Sequence, residues 1–222
     1  LRLCKFPIMT NLKIFRIVKL PQKVLDEIKG LEILGNITFL PKLSKLGNLK
    51  YLWLGNGIKD LGAISDNKEL EKLDVSGNPI SSIDCMGALV KLKIFNGDDT
   101  LITDIKILNR LPELITVNLY GSKLECLPDL SNTNIQTIIL SRTPIESLKN
   151  IETLKLPFKL WINGCYNLKD ITSLLYSNIK LLVYDEEIYR MFKPWLDENL
   201  PKIKSKNADF AVFFDWQYEP GL

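Results

Sequence analysis

The sequence predicts an α/β solenoid: a stack of short coils, each giving one strand, one tight turn and one return segment. Three observations carry that expectation. Between Leu70 and Ile83 the apolar residues fall at Leu70, Leu73, Val75, Ile80 and Ile83, with Asn78 separating the two halves. This spacing fits neither a helical period nor plain strand alternation. The same spacing recurs from starts at 28, 49, 70, 92, 114 and 135, separated by 21, 21, 22, 22 and 21 residues. At the turn position the chain reads Asn36, Gly57, Asn78, Thr100, Ser122, Thr143 and Cys165, nearly all small and polar. A fixed recurrence of about two dozen residues is the mark of stacked repeat architectures.

Each part of the repeat has a physical reason. In a short strand side chains alternate, so Leu73 and Val75 face a core while Lys72, Asp74 and Ser76 face outward. Gly77-Asn78-Pro79 is turn chemistry. Asn78 is expected to turn inward and satisfy backbone groups that the turn leaves unpaired. Ile80 and Ile83 then return to the same core. A single coil cannot shield both of its flat sides, so coils must stack.

In chain order, residues 1–27 are the least regular. Leu12, Phe15, Ile17 and Leu20 suggest a degenerate first repeat or N-terminal cap, closed by Pro21 and the pair Val24 and Leu25. Regular repeats are expected over 28–184. The second has a shortened turn, Gly55-Asn56-Gly57, and the seventh puts Cys165 at the turn with Leu168 and Ile171 on the return. An eighth opens at Ile179 with Leu182 and Tyr184. Residues 185–222 are expected to form a C-terminal cap, a helix and then a strand. Asp185-Glu186-Glu187 places acid at a helix start. Ile188, Met191, Phe192, Trp195 and Leu196 recur at helical spacing, and Pro194 should kink that helix or begin a second. Phe210, Val212, Phe214, Trp216 and Tyr218 alternate as a strand does. The rival expectation is the beginning of another domain.

Composition narrows the function classes. The chain has 222 residues and a net charge of +3, which does not suggest nucleic acid or an anionic membrane as the main partner. No apolar run reaches the length of a membrane span. No leader segment is read at the start, where Lys5, Pro7, Asn11 and Lys13 interrupt the apolar residues. Cys4, Cys85, Cys126 and Cys165 form no CxxC pair, which favours a reducing compartment over a disulfide framework. Histidine is absent, removing the usual general base and the commonest zinc ligand.

The pattern LxxLxLxx(N/T/S/C)x(I/L)xx(I/L), matched seven or eight times over about residues 28–184, resembles leucine-rich repeats of the roughly 22-residue class, the internalin-type and phosphatase-regulator-type repeats. The resemblance implies a horseshoe or arc, with parallel strands lining the concave face and irregular or 3₁₀ segments forming the back. It also implies protein binding through the concave face. On that register the outward columns hold Glu32, Tyr51, Trp53, Lys72, Asp74, Ser76, Ile94, Asn96, Asp98, Thr116, Asn118, Tyr120, Thr137, Ile139, Ser141, Lys159, Trp161, Asn163, Leu181, Val183 and Asp185.

The candidate partner-binding residues are therefore Tyr51, Trp53, Lys72, Asp74, Asn96, Asp98, Asn118, Tyr120, Ile139, Arg142, Lys159 and Trp161, with the four aromatic ones first. Outward aromatic residues are enriched at binding hot spots; the plainer alternative is that they pack on their own neighbours. Asp74, Asn96, Asp98 and Asp99 could dock a basic partner or hold calcium, but solvated surface acids are the commoner outcome. Lys202, Lys204 and Lys206 lie among acids and give little nucleic-acid signal. The expectation is a monomeric, non-enzymatic module that binds a protein or peptide, with no cofactor, metal or nucleic acid. The alternative is the recognition arm of a larger enzyme or of a bacterial-type effector delivered into another cell.

Overall fold

The computed structural model describes residues 8–9, 19–35 and 37–214. Among these, ten strands form one sheet whose order follows the chain, every neighbouring pair parallel. They are β1 (Ile8–Met9), β2 (Gly30–Ile33), β3 (Tyr51–Leu54), β4 (Lys72–Asp74), β5 (Ile94–Asn96), β6 (Thr116–Asn118), β7 (Thr137–Ile139), β8 (Phe158–Trp161), β9 (Ile179–Tyr184) and β10 (Ala211–Phe214). A one-turn helix α1 (Gln22–Leu25) precedes β2, and a long helix α2 (Glu186–Lys206) joins β9 to β10.

The strands are short because each coil uses only its alternating segment. Leu31, Leu52, Leu73, Phe95, Val117, Ile138, Leu160 and Leu182 form one inward column, each at most 1 % exposed. Return residues such as Ile58, Ile80, Ile102, Leu124, Ile145 and Leu168 close the same core. Each fully buried aliphatic side chain contributes about 1.5–3 kcal/mol, and no coil shares its core with more than its neighbours.

Asn78 does what its position promised. Its Oδ1 accepts from the Ile58 N–H at 2.8 Å, and its Nδ2 donates to the carbonyls of Leu54, Val75 and Ser76 at 3.1, 2.9 and 3.1 Å. One carboxamide thus ties the β3 coil to the β4 coil. The substitutes reach less far. Thr100 and Thr143 donate to carbonyls of their own coil, Gly97 and Leu140, and Thr143 Oγ1 also lies 3.6 Å from the Cys165 sulfur of the next coil. Cys165 reaches back to the Leu140 carbonyl at 3.1 Å. The buried Ser122 hydroxyl has no partner among the described residues. Asn36 lies outside the described residues.

Five 3₁₀ segments line the back: Gly62–Ile64, Asp84–Ala88, Lys106–Arg110, Ile151–Thr153 and Thr172–Tyr176. Four of them are entered through an Asp or Ser side chain that accepts from the N–H two residues on: Asp60 to Gly62, Ser82 to Asp84, Asp104 to Lys106 and Asp170 to Thr172. Ser147 does the same to Lys149, just before the segment at Ile151. In the two coils without a 3₁₀ segment, the matching positions read Phe39-Leu40-Pro41 and Cys126-Leu127-Pro128. Each lacks the oxygen acceptor, and proline removes the N–H as well. The difference is written in the sequence itself, in Pro41 and Pro128.

The far end removes one of the two alternatives expected for Pro194. Asp185 caps α2, its carboxylate accepting from the Ile188 N–H at 3.0 Å. But α2 runs unbroken through Pro194 and Pro201, so Pro194 begins no second helix. Ile188, Leu196 and Ile203 are buried, Phe192 and Trp195 pack partly on the core, and Met191 is exposed. Strand β10 follows, parallel to β9. Trp216 and Tyr218 lie outside the described residues, as do Leu12, Phe15 and Ile17 of the expected degenerate repeat. Near the start, Leu25 is buried while Leu20 and Val24 are exposed.

Candidate functional site

The register aligns the outward side chains in rows. One row runs Glu32, Trp53, Asp74, Asn96, Asn118, Ile139, Trp161, Val183 and Phe213. Beside it run Tyr51, Lys72, Ile94, Thr116, Thr137, Lys159 and Leu181. Parallel strands lie about 4.8 Å apart, so the sequence-predicted residues do share one surface.

Not all of them reach solvent. Asn96, Asn118 and Ile139 are only 6 %, 1 % and 4 % exposed, so they offer little contact area, which corrects their assignment as surface contacts. The asparagines are held by hydrogen bonds to their own coils and, for Asn96, to the coil before it. Asn96 Oδ1 accepts from the Asp98 N–H at 3.3 Å while its Nδ2 donates to Asp74 Oδ2 at 2.9 Å. Asn118 Oδ1 accepts from the Tyr120 N–H at 3.0 Å. Both asparagines close the ends of their strands. Ile139 sits between Asn118 and the indole of Trp161 in the row, and an indole is wider than one strand spacing. Ser141 and Val183 are buried as well.

What remains accessible falls into three zones. At the β3 end the rings of Tyr51 and Trp53 lie 6.4 Å apart, with the Lys72 ammonium 5.6 Å from the Trp53 ring. At the centre are the carboxylates of Asp74, Asp98 and Asp99, with the Tyr120 ring beside them and the Arg142 guanidinium 5.3 Å from that ring. At the β8 end half-buried Trp161 and Leu181 neighbour exposed Lys159 and Phe213, the last 57 % exposed. Arg142 takes up a left-handed backbone, φ 57°, at the turn after β7.

Asp98 is the electrostatically unusual group. Burial, then the charges of Asp99 and Asp74, push its carboxyl up to about 6. Its Oδ1 is closed to solvent and has no hydrogen-bond partner among the described residues. A carboxyl raised in the native state favours folding at low pH, and that benefit is lost as pH rises through its native value. Wild-type stability should therefore fall between about pH 4 and 6.5 by this term. The carboxyls of Glu71, Asp104, Asp129, Asp170 and Glu198 are lowered, chiefly by hydrogen bonds. Their contribution has the opposite sign: it is present above the unfolded-state values and is lost as pH falls through the lowered native ones. Asp98→Asn should flatten the upper slope and stabilise the protein at pH 8 by about 1–2 kcal/mol, after allowance for solvent screening. Urea unfolding of both proteins at pH 5 and pH 8 measures this directly.

Two of the described cysteines are withdrawn from solvent, while Cys126 is exposed. Cys165 is buried at its turn, where burial pushes its thiol up to about 11. Cys85 is likewise pushed up to about 11, mainly by burial. Among the described residues no three Cys, Asp or Glu side chains converge as a metal site, and no helix is long and apolar enough to cross a membrane.

A parallel sheet built one strand per coil, a 3₁₀ back and an inward turn asparagine define a leucine-rich-repeat solenoid, and the chain has that fold. Solved structures agree. Internalin C2 of Listeria monocytogenes superposes with a TM-score of 0.56 at 20 % identity, covering 74 % of this chain and 84 % of that one. The leucine-rich repeat domain of APL1B gives 0.61 at 18 % identity, covering 75 % of this chain and 53 % of that one. The LRIM1/APL1C complex gives 0.58 at 19 % identity, covering 75 % of this chain and 34 % of that one. No protein-family model and no curated protein matches the sequence.

Proposed function

We propose that this chain is a non-enzymatic recognition module that binds a protein or peptide on its concave face. The observation that carries the reading is the placement of Trp53 and Trp161. Both stand half-exposed on the side of the sheet away from the core, near opposite ends of one row. Large aromatic side chains in such positions supply contact area at low entropic cost. The face is built by the same backbone ladder that builds the core, so the ordering cost is met on folding and less is left to offset on binding. One structural neighbour is itself a complex of two proteins, LRIM1 and APL1C, which accords with this use of the fold. In this reading residues 185–222 serve as the C-terminal cap, with α2 covering the last coil, and residues 1–27 as the N-terminal one.

The test is affinity capture read by mass spectrometry, with wild type beside the double variant Trp53→Ala/Trp161→Ala. The double variant should keep the circular dichroism of the wild type and lose captured partners by at least tenfold. Equal capture by both proteins would remove the concave face from the account.

A further inference from the structure

The concave face is divided along its length. Toward the β8 end it is apolar: Trp161, Leu181 and Phe213 are accessible there, and the Trp161 indole makes no ring or cation contact among the described residues. Toward the β4 and β5 coils it is acidic, and here the carboxylates have been left without cations. Elsewhere on the coils acids pair readily: Glu69 with Lys91, Glu71 with Lys50 and Lys93, Glu146 with Lys169. Asp74, Asp98 and Asp99 form no ion pair among the described residues. Two cations on this face, Lys72 and Arg142, lie instead over the rings of Trp53 and Tyr120. Three acids set close together, with Asp98 Oδ1 closed to solvent and unpartnered and no counter-charge in place among the described residues, make an electrostatic vacancy that a partner's cation would relieve.

From this we infer that the face takes an extended peptide segment carrying a Lys or Arg that docks at Asp74 and Asp98 and an aromatic or branched aliphatic side chain that docks against Trp161 and Phe213. The inference rests on the concave-face reading and adds the chemistry of the partner. It also fixes a spacing. Asp98 follows β5 and Asp74 lies on β4, while Trp161 lies on β8, so three to four strand spacings of about 4.8 Å separate the two subsites, roughly 14–19 Å. An extended chain covers that in about four to six residues at about 3.3 Å each. Acidic segments are disfavoured at the central coils by the same uncompensated charge.

The experiment is selection of random twelve-residue peptides displayed against the full chain, with recovered peptides then titrated against three proteins: wild type, Trp161→Ala and Asp98→Asn. The expected result is enrichment of a Lys or Arg four to six positions from an aromatic or aliphatic residue, with at least tenfold weaker binding to each variant. Peptides that lose affinity for Trp161→Ala but bind Asp98→Asn as well as wild type would overturn this inference and leave the concave-face reading standing. Peptides indifferent to both variants would remove both. Failure to enrich any peptide would also overturn the inference, because a linear segment is what it requires. Asp98→Asn removes a repulsion rather than a support, so unfolding of that variant does not confound the comparison; its melting curve checks this.

Discussion

Asn78→Ala is expected to lower the unfolding free energy by about 3 kcal/mol or more, because each buried polar group stripped of its partner costs about 1–3 kcal/mol. The Asn78 side chain is 1 % exposed and makes hydrogen bonds to backbone groups of two successive coils. Alanine leaves the Ile58 N–H without that acceptor and three carbonyls without that donor. Asn78→Asp should fare badly too, since a carboxylate cannot donate to the Leu54, Val75 and Ser76 carbonyls. The damage should propagate to function, because the loosened joint lies between the strands that carry Trp53 and Asp74. Urea unfolding gives the energy. Hydrogen exchange should locate the loss of protection first in the β3 and β4 coils, since solenoid stability is close to a sum of neighbouring interfaces.

Phe95→Ala should cost about as much by a different route, roughly 3–5 kcal/mol. The other coils put an aliphatic residue at this point of the inward column; Phe95 is the one aromatic ring in it and is fully buried. Gly97 makes room for it. A Cβ on Gly97 would stand 3.1 Å from the Phe95 Cζ and 3.1 Å from the Ile102 Cδ1. Alanine at 95 would leave a cavity that the stacked coils cannot collapse without bending the ladder. At about 2–4 °C per kcal/mol for a chain of this size, the melting temperature should fall by about 6–20 °C. Phe95→Leu restores the residue type of the other coils and should cost far less. The difference between the two variants separates lost volume from a lost ring.

Much of this architecture was legible because the repeat presents the same question to each coil. Leu73 and Val75 face inward for the reason Leu52 and Leu54 do, so the core follows from spacing alone. The turn at Asn78 and the cap of Asp185 were legible in local residues, Gly77-Asn78-Pro79 and Asp185-Glu186-Glu187, although Asn78 also bonds to the coil before it. The occupancy of the outer face was not local. Whether Asn96 or Ile139 meets solvent depends on neighbours some 22 residues away on adjacent strands: Asp74 receives the Asn96 amide, and Trp161 stands beside Ile139. Knowing that a side chain points outward does not reveal what stands beside it. The path of α2 through Pro194 was illegible for a similar reason, since packing of Leu196 and Ile203 on the last coil outweighs one lost hydrogen bond. The missing 3₁₀ segments after β2 and β6 are legible in Phe39-Leu40-Pro41 and Cys126-Leu127-Pro128, which align with Asp60-Leu61-Gly62 and Asp104-Ile105-Lys106.

The central claim is that the partner sits on the concave sheet face. A photo-crosslinking amino acid at position 159, next to Trp161, should capture the partner. The same group at position 106, on the 3₁₀ back, should not. Crosslinking from 106 with none from 159 would contradict the account.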